Sequence, residues 1–358
     1  MKILFLTSYQ KPIDGWSIVG FNIVKSLKNF DLEIFSGEQK KILKFGATRL
    51  KSELYDRYKL LAVIFDVINI LLFVRKKPDL IHCNVEYYAP VALILSIIYN
   101  IPYTITAHGT YAVLLPSKYK LYKKSFERAN IVIADSNYTK SRMIEEDIDS
   151  NVIVILPGVD KSIFYPKSQQ NRHKNILFVG NLKPRKGLVF LLESLSQAYK
   201  INTDIQLLVV GEIDHSSKQY SKVREYIDDN GLNVDFMGRV SEHDLVNLYR
   251  TSMLNVLPSK SEPFYFEGFG LIHLEANACG TLTVGTINSG NEDAIDKKKG
   301  FLIQYGDVNK LSGIILSVFS TSKYRELNFS DIKDWSEASD QYENIFNRLI
   351  NKAFENRL

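Results

Sequence analysis

In Glu267-Gly-Phe-Gly-Leu-Ile-His-Leu-Glu275, followed by Ala276, Ala278 and Gly280, two carboxylates stand with seven residues between them around a glycine-rich entry into an apolar helix. A helix N-terminus offers backbone N–H groups that lack intrahelical acceptors, at the positive end of the helix dipole, so phosphate oxygens bind there readily. Phe269, Gly270 and Leu271 would supply those donors. With the helix starting near Gly270, Glu275 lies roughly 7–8 Å along the axis at about 1.5 Å per residue, while Glu267 stays on the preceding loop. Each carboxylate can accept hydrogen bonds from two neighbouring hydroxyls. The layout suits a sugar nucleotide, with diphosphate in the middle, ribose on one carboxylate and hexose on the other. Taken alone, the string also describes a capped amphipathic helix with two solvated glutamates.

Outward from this segment, short apolar runs alternate with helical patterns. In the first half, strands are expected at Ile3–Leu6, Leu32–Phe35, Leu80–Cys83, Tyr103–Ala107, Ile131–Ala134 and Val152–Ile155, with a helix at Ser17–Leu27. A second alternation runs from Asn175–Val179 through helix Leu188–Tyr199, strand Ile205–Val210, helix Ser221–Asp229, strand Val234–Met237, helix Ser241–Ser252 and strand Leu254–Leu257. It continues through the Glu275 helix to strand Leu282–Gly285, and an amphipathic helix follows at Ser336–Phe354. Strands alternating with helices predict parallel βα units, and a length of 358 residues predicts two domains. The turn-rich, polar segments at Pro157–Asp160 and Tyr165–Gln170 mark the linker. The fold class is therefore α/β, with two doubly wound domains facing each other across a cleft. Ligands in such sheets bind beyond the carboxyl ends of the strands, where Ser8–Gly15 and His108-Gly109-Thr110 fall.

Composition narrows the function classes. Two cysteines, Cys83 and Cys279, lie far apart without metal-type spacing, which predicts a reduced cytoplasmic protein rather than a disulfide scaffold. Met1–Leu6 is too short for a signal segment, and the longest apolar run, Leu60–Val74, is broken by Asp66 and Asn69 and falls short of a membrane span. The net charge of +5 is uneven: residues 1–167 carry 23 Lys+Arg against 16 Asp+Glu. The excess sits in Lys40, Lys41, Lys44, Arg49, Lys51, Arg57 and Lys59, and again in Lys118, Lys120, Lys123, Lys124 and Arg128. Tyr119, Tyr122 and Phe126 interleave the latter group, which reads either as a surface for anionic membranes or as a solvated helix face. Nucleic acid is disfavoured, because the charge is modest and no recognition motif accompanies it. Asp147-Ile-Asp149 resembles a two-aspartate metal pattern but lies in an acidic polar turn, so no metal is expected there. No Gly-x-Gly-x-x-Gly follows the first strand, which disfavours a dinucleotide oxidoreductase.

The combined order of short motifs resembles the retaining glycosyltransferases of the GT4 type, with the GT-B fold. Its strings are Leu177-Phe-Val-Gly180, Lys186-Gly187, Leu207–Gly211, Phe236-Met-Gly238, Pro258-Ser259, Glu267–Gly280, and Ser289-Gly290 running to Gly300-Phe-Leu. Upstream, His108-Gly109, Pro157-Gly-Val-Asp160, Phe164 and Pro166 add to them. The resemblance implies two Rossmann-like domains, an acceptor-binding one over 1–167 and a nucleotide-sugar-binding one over 168–335, with a helix over 336–358 packing back towards the first. It implies that Glu267 contacts the donor hexose and that Phe269 and Gly270 bind the diphosphate through backbone amides. Glu275 would hold the ribose, Lys186 would neutralise the diphosphate, and Arg239-Val240 would lie in the base-contacting loop. His108 would be the active-site histidine, and Gly15 would approach phosphates or acceptor by backbone.

Three positions depart from the family pattern. Asn181 stands where arginine is usual, and Arg185 is the neighbouring candidate to supply that charge. Gly15-Trp16 replaces paired glycines. The loop Lys260–Phe266 is long, so that Glu262 competes with Glu267 as the motif carboxylate; spacing to Glu275 favours Glu267.

The implied reaction moves a hexose from a UDP- or GDP-sugar to an acceptor hydroxyl of a glycan or lipid-linked acceptor, with retained configuration, by front-face substitution and without metal or other cofactor. Domain closure would bring His108 to the donor and exclude water. The expected location is cytoplasmic, with peripheral contact to the inner face of a membrane. A non-catalytic sugar-nucleotide-binding subunit, an epimerase and a phosphorylase are the rival readings on the same scaffold.

Overall fold

The computed structural model describes residues 1–8, 15–36, 52–148, 151–167, 172–320 and 331–356, with only the backbone described for 52–59. Contacts divide the chain into two units, Met1–Pro157 together with Trp335–Leu358, and Gly158–Asp334. The basic residues Lys40, Lys41, Lys44, Arg49 and Lys51, most of the Ser8–Gly15 loop, and Asp149 lie outside the described residues.

The first unit runs β1 (Lys2–Thr7), α1 (Gly15–Ser26), β2 (Asp31–Ser36), α2 (Ser52–Phe73), β3 (Leu80–Cys83), α3 (Ala89–Tyr99), β4 (Tyr103–Ala107), α4 (Thr110–Lys118), α5 (Lys120–Glu127), β5 (Ile131–Ala134), α6 (Asn137–Glu145) and β6 (Val152–Val154). Its sheet has the order β2-β1-β3-β4-β5-β6, and every pairing is parallel. Strands β3, β4 and β5 are buried along their whole length. This is why they read as continuous apolar or β-branched runs rather than as alternating ones.

The second unit runs β7 (His173–Val179), α7 (Leu188–Tyr199), β8 (Gln206–Val210), α8 (Lys218–Asp229), β9 (Val234–Gly238), α9 (Glu242–Thr251), β10 (Ser252–Val256), α10 (Leu271–Ala278), β11 (Leu282–Thr286), α11 (Asn291–Ala294), β12 (Gly300–Ile303) and α12 (Val308–Ser320). Its sheet order is β12-β11-β10-β7-β8-β9, again parallel. Ile176, Phe178, Leu207 and Val209 of the sheet pack with Leu191 and Leu195 of α7 and Leu311 and Ile315 of α12 in one core. Segment 158–167 belongs to this unit. There Phe164 meets the Tyr249 ring edge-on, and Arg250 stacks over Tyr165 and donates to its carbonyl.

Helix α13 (Trp335–Glu355) returns to the first unit. Its buried face, Trp335, Ala338, Ser339, Tyr342, Ile345, Phe346 and Leu349, recurs at helical spacing. Phe346 packs against Phe30 and His82, and Tyr342 shares a hydrogen bond with Thr106. Cys83 and Cys279 are buried free thiols.

In each sheet the order in which strands are added reverses once. In the first the switch lies between β1 and β3, and in the second between β7 and β10. Loops leaving adjacent strands in opposite directions open a crevice at such a point, so the segments after β7 and β10 are brought together there. Elements given no range from sequence include β12 and helices α3, α4, α6, α11, α12 and α2. The last holds most of the Leu60–Val74 run within a 22-residue helix. No described helix is long and apolar enough to cross a membrane.

Candidate functional site

At the switch point of the second sheet, three loops are tied together. After β7, a single turn of tight helix at Pro184–Lys186 ends on Gly187 and aims Arg185 and Lys186 across the strand ends. After β10, Lys260 donates its backbone N–H to the Arg185 carbonyl at 2.7 Å. After β11, Gly290 donates its N–H to the Glu267 carbonyl at 2.9 Å. A β-carbon on Gly290 would stand 1.7 Å from the Gly268 carbonyl oxygen, so only glycine allows this approach. Asn291 donates to Ser259 at 3.1 Å, and Thr286 donates to the Ser259 carbonyl at 2.6 Å, which closes the set.

Glu267 is the focus of the charges. Its Oε2 accepts from Lys186 Nζ at 2.6 Å and from Arg185 Nη1 at 3.1 Å. Burial alone would raise the Glu267 carboxyl, but the Lys186 and Arg185 charges outweigh it and hold the group down at about 2. Burial lowers the Lys186 ammonium, against the opposing pull of Glu267. Glu262 does not join this group: its half-exposed carboxylate pairs with Lys260 at 2.8 Å, while Phe266 next to Glu267 is buried. Asn181 brings no charge to the position where arginine was expected, whereas Arg185 reaches Glu267 directly.

Helix α10 begins one residue after Gly270, whose φ of 85° places it in the left-handed region that glycine tolerates. Phe269 and Gly270 are buried at this mouth, and Leu271 is half-buried. Glu275 lies one turn into the helix, buried, with Oε2 accepting from Tyr249 at 2.9 Å. Burial pushes its carboxyl up to about 7, against the hydrogen bond from Tyr249. Glu267 and Glu275 therefore have opposite electrostatics: one is a committed anion, the other a group that titrates near neutrality. Nothing in the sequence marked Tyr249 as the partner of Glu275, because the two are 26 residues apart. His273, buried between the two glutamates in the chain, bonds Thr283, and burial lowers its ring to about 4. Arg239 is exposed and pairs with Glu212 at 2.8 Å, and Val240 is half-buried.

In the first unit, His108 directly follows β4. Its backbone N–H donates to Glu86 Oε1 at 2.6 Å, and its Nε2 lies 2.8 Å from the Asn84 carbonyl, so Nε2 carries a proton. The other ring nitrogen, Nδ1, lies 4.0 Å from Asp135 Oδ2. Glu86 is fully buried, and burial raises its carboxyl to about 7. Asn84 also donates to the Trp16 carbonyl at 3.0 Å, which ties the start of α1 to the end of β3. Gly15 opens α1 with no atom of the described residues within 4 Å of where a β-carbon would stand. Glu86, Asn84 and Asp135 have no motif signal of their own; each follows a strand at the same sheet edge as His108.

Among the described residues, no group of three or more His, Cys, Asp or Glu is arranged to hold a metal ion. Asp147 has a positive φ of 56°, in keeping with a tight turn after α6.

Two family models together span most of the chain: glycosyl transferases group 1 over residues 159–328, and glycosyltransferase family 4 over residues 27–162. An uncharacterized glycosyltransferase of Methanocaldococcus jannaschii is 27% identical over 355 residues, covering 94% of this chain and 93% of that protein. A GDP-mannose-dependent monoacylated alpha-(1-6)-phosphatidylinositol monomannoside mannosyltransferase of Corynebacterium glutamicum is 26% identical, covering 57% of each protein. Among solved structures, sucrose-phosphate synthase from Thermosynechococcus elongatus superposes with a TM-score of 0.79 at 19% identity, covering 98% of this chain and 99% of that one. The Anabaena protein HepE in complex with UDP-glucose gives 0.75 at 21% identity, covering 98% and 100%. At these identities the structures speak for the fold, and with the family models matched in tandem the chain belongs to the GT4-type glycosyltransferases of GT-B fold.

Proposed function

We propose that this glycosyltransferase moves a hexose from a nucleotide diphosphate sugar, UDP- or GDP-linked, to an acceptor hydroxyl with retained anomeric configuration, in the assembly of a glycan, polysaccharide or glycolipid. The observation that carries the reading is the convergence of Lys186 and Arg185 on Glu267 beside the N-terminus of α10. On donor binding the diphosphate takes the two cations and the N–H groups of Phe269, Gly270 and Leu271, and Glu267 turns to the hexose hydroxyls. Glu275 takes the ribose, and Arg239-Val240 flanks the base.

Negative charge accumulates on the leaving diphosphate as the glycosidic bond breaks, and fixed cations stabilise that state more than the ground state. The bond from the anomeric carbon to phosphate oxygen breaks while the acceptor oxygen bonds the same face. The acceptor proton passes to the departing phosphate, so no protein nucleophile is consumed and the two side-chain cations take the place of a metal. His108, with Nε2 already committed to Asn84, is assigned to stabilising the reacting sugar through Nδ1 and its surroundings.

The structural relative with UDP-glucose bound and the sequence relative named for GDP-mannose support a nucleotide-sugar donor without choosing the base. The latter is also named for a phosphatidylinositol-linked acceptor, which supports a lipid-linked one here. Thermal-shift and calorimetric screening against UDP- and GDP-sugars tests the donor, because a tight ligand raises stability by mass action. Product configuration by NMR tests retention. No response to any nucleotide sugar would sink the reading. Tight binding without transfer or slow hydrolysis would favour the non-catalytic subunit that the Asn181 substitution suggests.

A further inference from the structure

We propose that α2 docks this protein on an anionic membrane surface, with its outer face in the boundary between headgroups and acyl chains. This helix is apolar on its outer side as well as its inner one. Leu60, Leu61, Ile64, Ile68, Leu71 and Leu72 are 38% to 61% exposed, whereas Asp66 and Asn69 are buried. The exposed positions recur at i, i+1, i+4, i+8, i+11 and i+12, which is one face of a helix at 100° per residue. A surface helix in water turns such a face inward. Here the inner side already holds Ala62, Val63, Val67 and Ile70, and α2 packs against α3. Asp66 and Asn69, which break the apolar run in the sequence, leave the outer face uninterrupted. A contiguous apolar strip of this kind marks a surface that is covered when the protein works.

Charge identifies the cover. Arg75, Lys76 and Lys77, all exposed, follow directly on α2. Beside its middle, Leu60 and Val63 share an apolar cavity of about 300 Å³ with Lys118, Tyr119, Lys120 and Leu121. Lys124 and Arg128 are exposed further along the same segment, with Glu127 the acidic residue among them. Tyr122 and Phe126 are buried, so they anchor α5 within the unit, and the apolar contact falls to the leucines and isoleucines of α2. An apolar helix face with a cationic rim is the arrangement that lies in a membrane interface, and basic residues near an anionic leaflet add to its hold. A second copy of the chain fits less well, because a two-fold contact would set two such rims against each other.

The test is sedimentation of the full chain, without any nucleotide sugar, with vesicles of phosphatidylcholine alone or with roughly a third phosphatidylglycerol. The expected result is at least about tenfold stronger partition to the anionic vesicles, weakened by salt. Leu61→Glu/Leu72→Glu and, separately, Lys118→Glu/Lys120→Glu should each reduce that partition about tenfold with melting temperature unchanged, since these positions are exposed. Equal binding to both vesicles, no binding, or indifference to either variant would overturn the proposal. So would a dimer, measured by light scattering, that Leu61→Glu/Leu72→Glu dissolves. Donor binding is read in a separate assay, so either conclusion can fail alone.

Discussion

Lys186 Nζ lies 2.6 Å from Glu267 Oε2, across 81 residues of sequence, and Arg185 shares the same oxygen. The carboxylate keeps two cations in place at the crevice. Removing either side separates binding from chemistry. Lys186→Ala should weaken affinity for the free nucleoside diphosphate about tenfold to a hundredfold, or roughly 1.4–2.8 kcal/mol. Glu267→Gln should leave that affinity equal or tighter, because the cations are released, while transfer falls by at least about a hundredfold. Calorimetry with the diphosphate and a transfer assay on the same preparations decide this. Near-normal transfer in both variants would remove the assigned site.

Gly290→Ala adds one methyl group where the Gly268 carbonyl already stands. The loop after β11 must then part from the Glu267 backbone, which breaks the bond from Gly290 N–H to the Glu267 carbonyl. A loss of about 1–3 kcal/mol in stability is expected from such overpacking, with weaker donor binding. Denaturant unfolding measures the first and thermal shift with donor the second.

Burial raises Glu275 from 4.5 to about 7, and Glu86 likewise. Between those two values the folded state holds protons that the unfolded state has released, so stability declines as pH rises from about 4.5 towards 7. Each group contributes on the order of 3 kcal/mol to that decline, at 1.36 kcal/mol per pH unit. Glu267 acts the other way, since its contribution is present above 4.5 and disappears as pH falls towards 2. Glu275→Gln should therefore flatten the decline between about pH 5 and 7.5 without altering the acid limb. An unchanged slope in unfolding curves would show that Glu275 is not the group responsible.

Gly15→Ala should fold as stably as the parent, within about 0.5 kcal/mol, because no described residue stands within 4 Å of the new methyl group and alanine favours the helix. A loss of turnover in this variant, with the melting temperature unchanged, would report close approach of a ligand to the Gly15 backbone. Full turnover would withdraw Gly15 from the site.

His108→Ala removes a ring held by Asn84 and close to Asp135. Turnover should fall at least about a hundredfold while calorimetric affinity for the nucleoside diphosphate stays the same, the pattern of an interaction made at the reacting sugar. A fall in melting temperature with turnover per folded molecule unchanged would assign His108 to the architecture of the first unit alone.

Much of this protein was legible in local chemistry. The apolar runs that became β3, β4 and β5 match their predicted bounds, and α7 begins and ends where its periodicity does, because strand and helix periods are set within a few residues. Gly270 in the left-handed region and the entry of α10 follow from the same short-range rules. Spacing to Glu275 singled out Glu267 over Glu262, and the paired cations on Glu267 are in line with that choice. Strand order decided the rest. Lys186 meets Glu267 because β7 and β10 are neighbours where the strand order reverses, and Tyr249 meets Glu275 because α9 packs on α10. Such partners carry no sequence signal, since their separation along the chain is arbitrary. For α2, Asp66 and Asn69 looked in one dimension like interruptions of an apolar run. Only the packed structure showed which side of the helix was already filled, and hence that the polar residues point in and the leucines out.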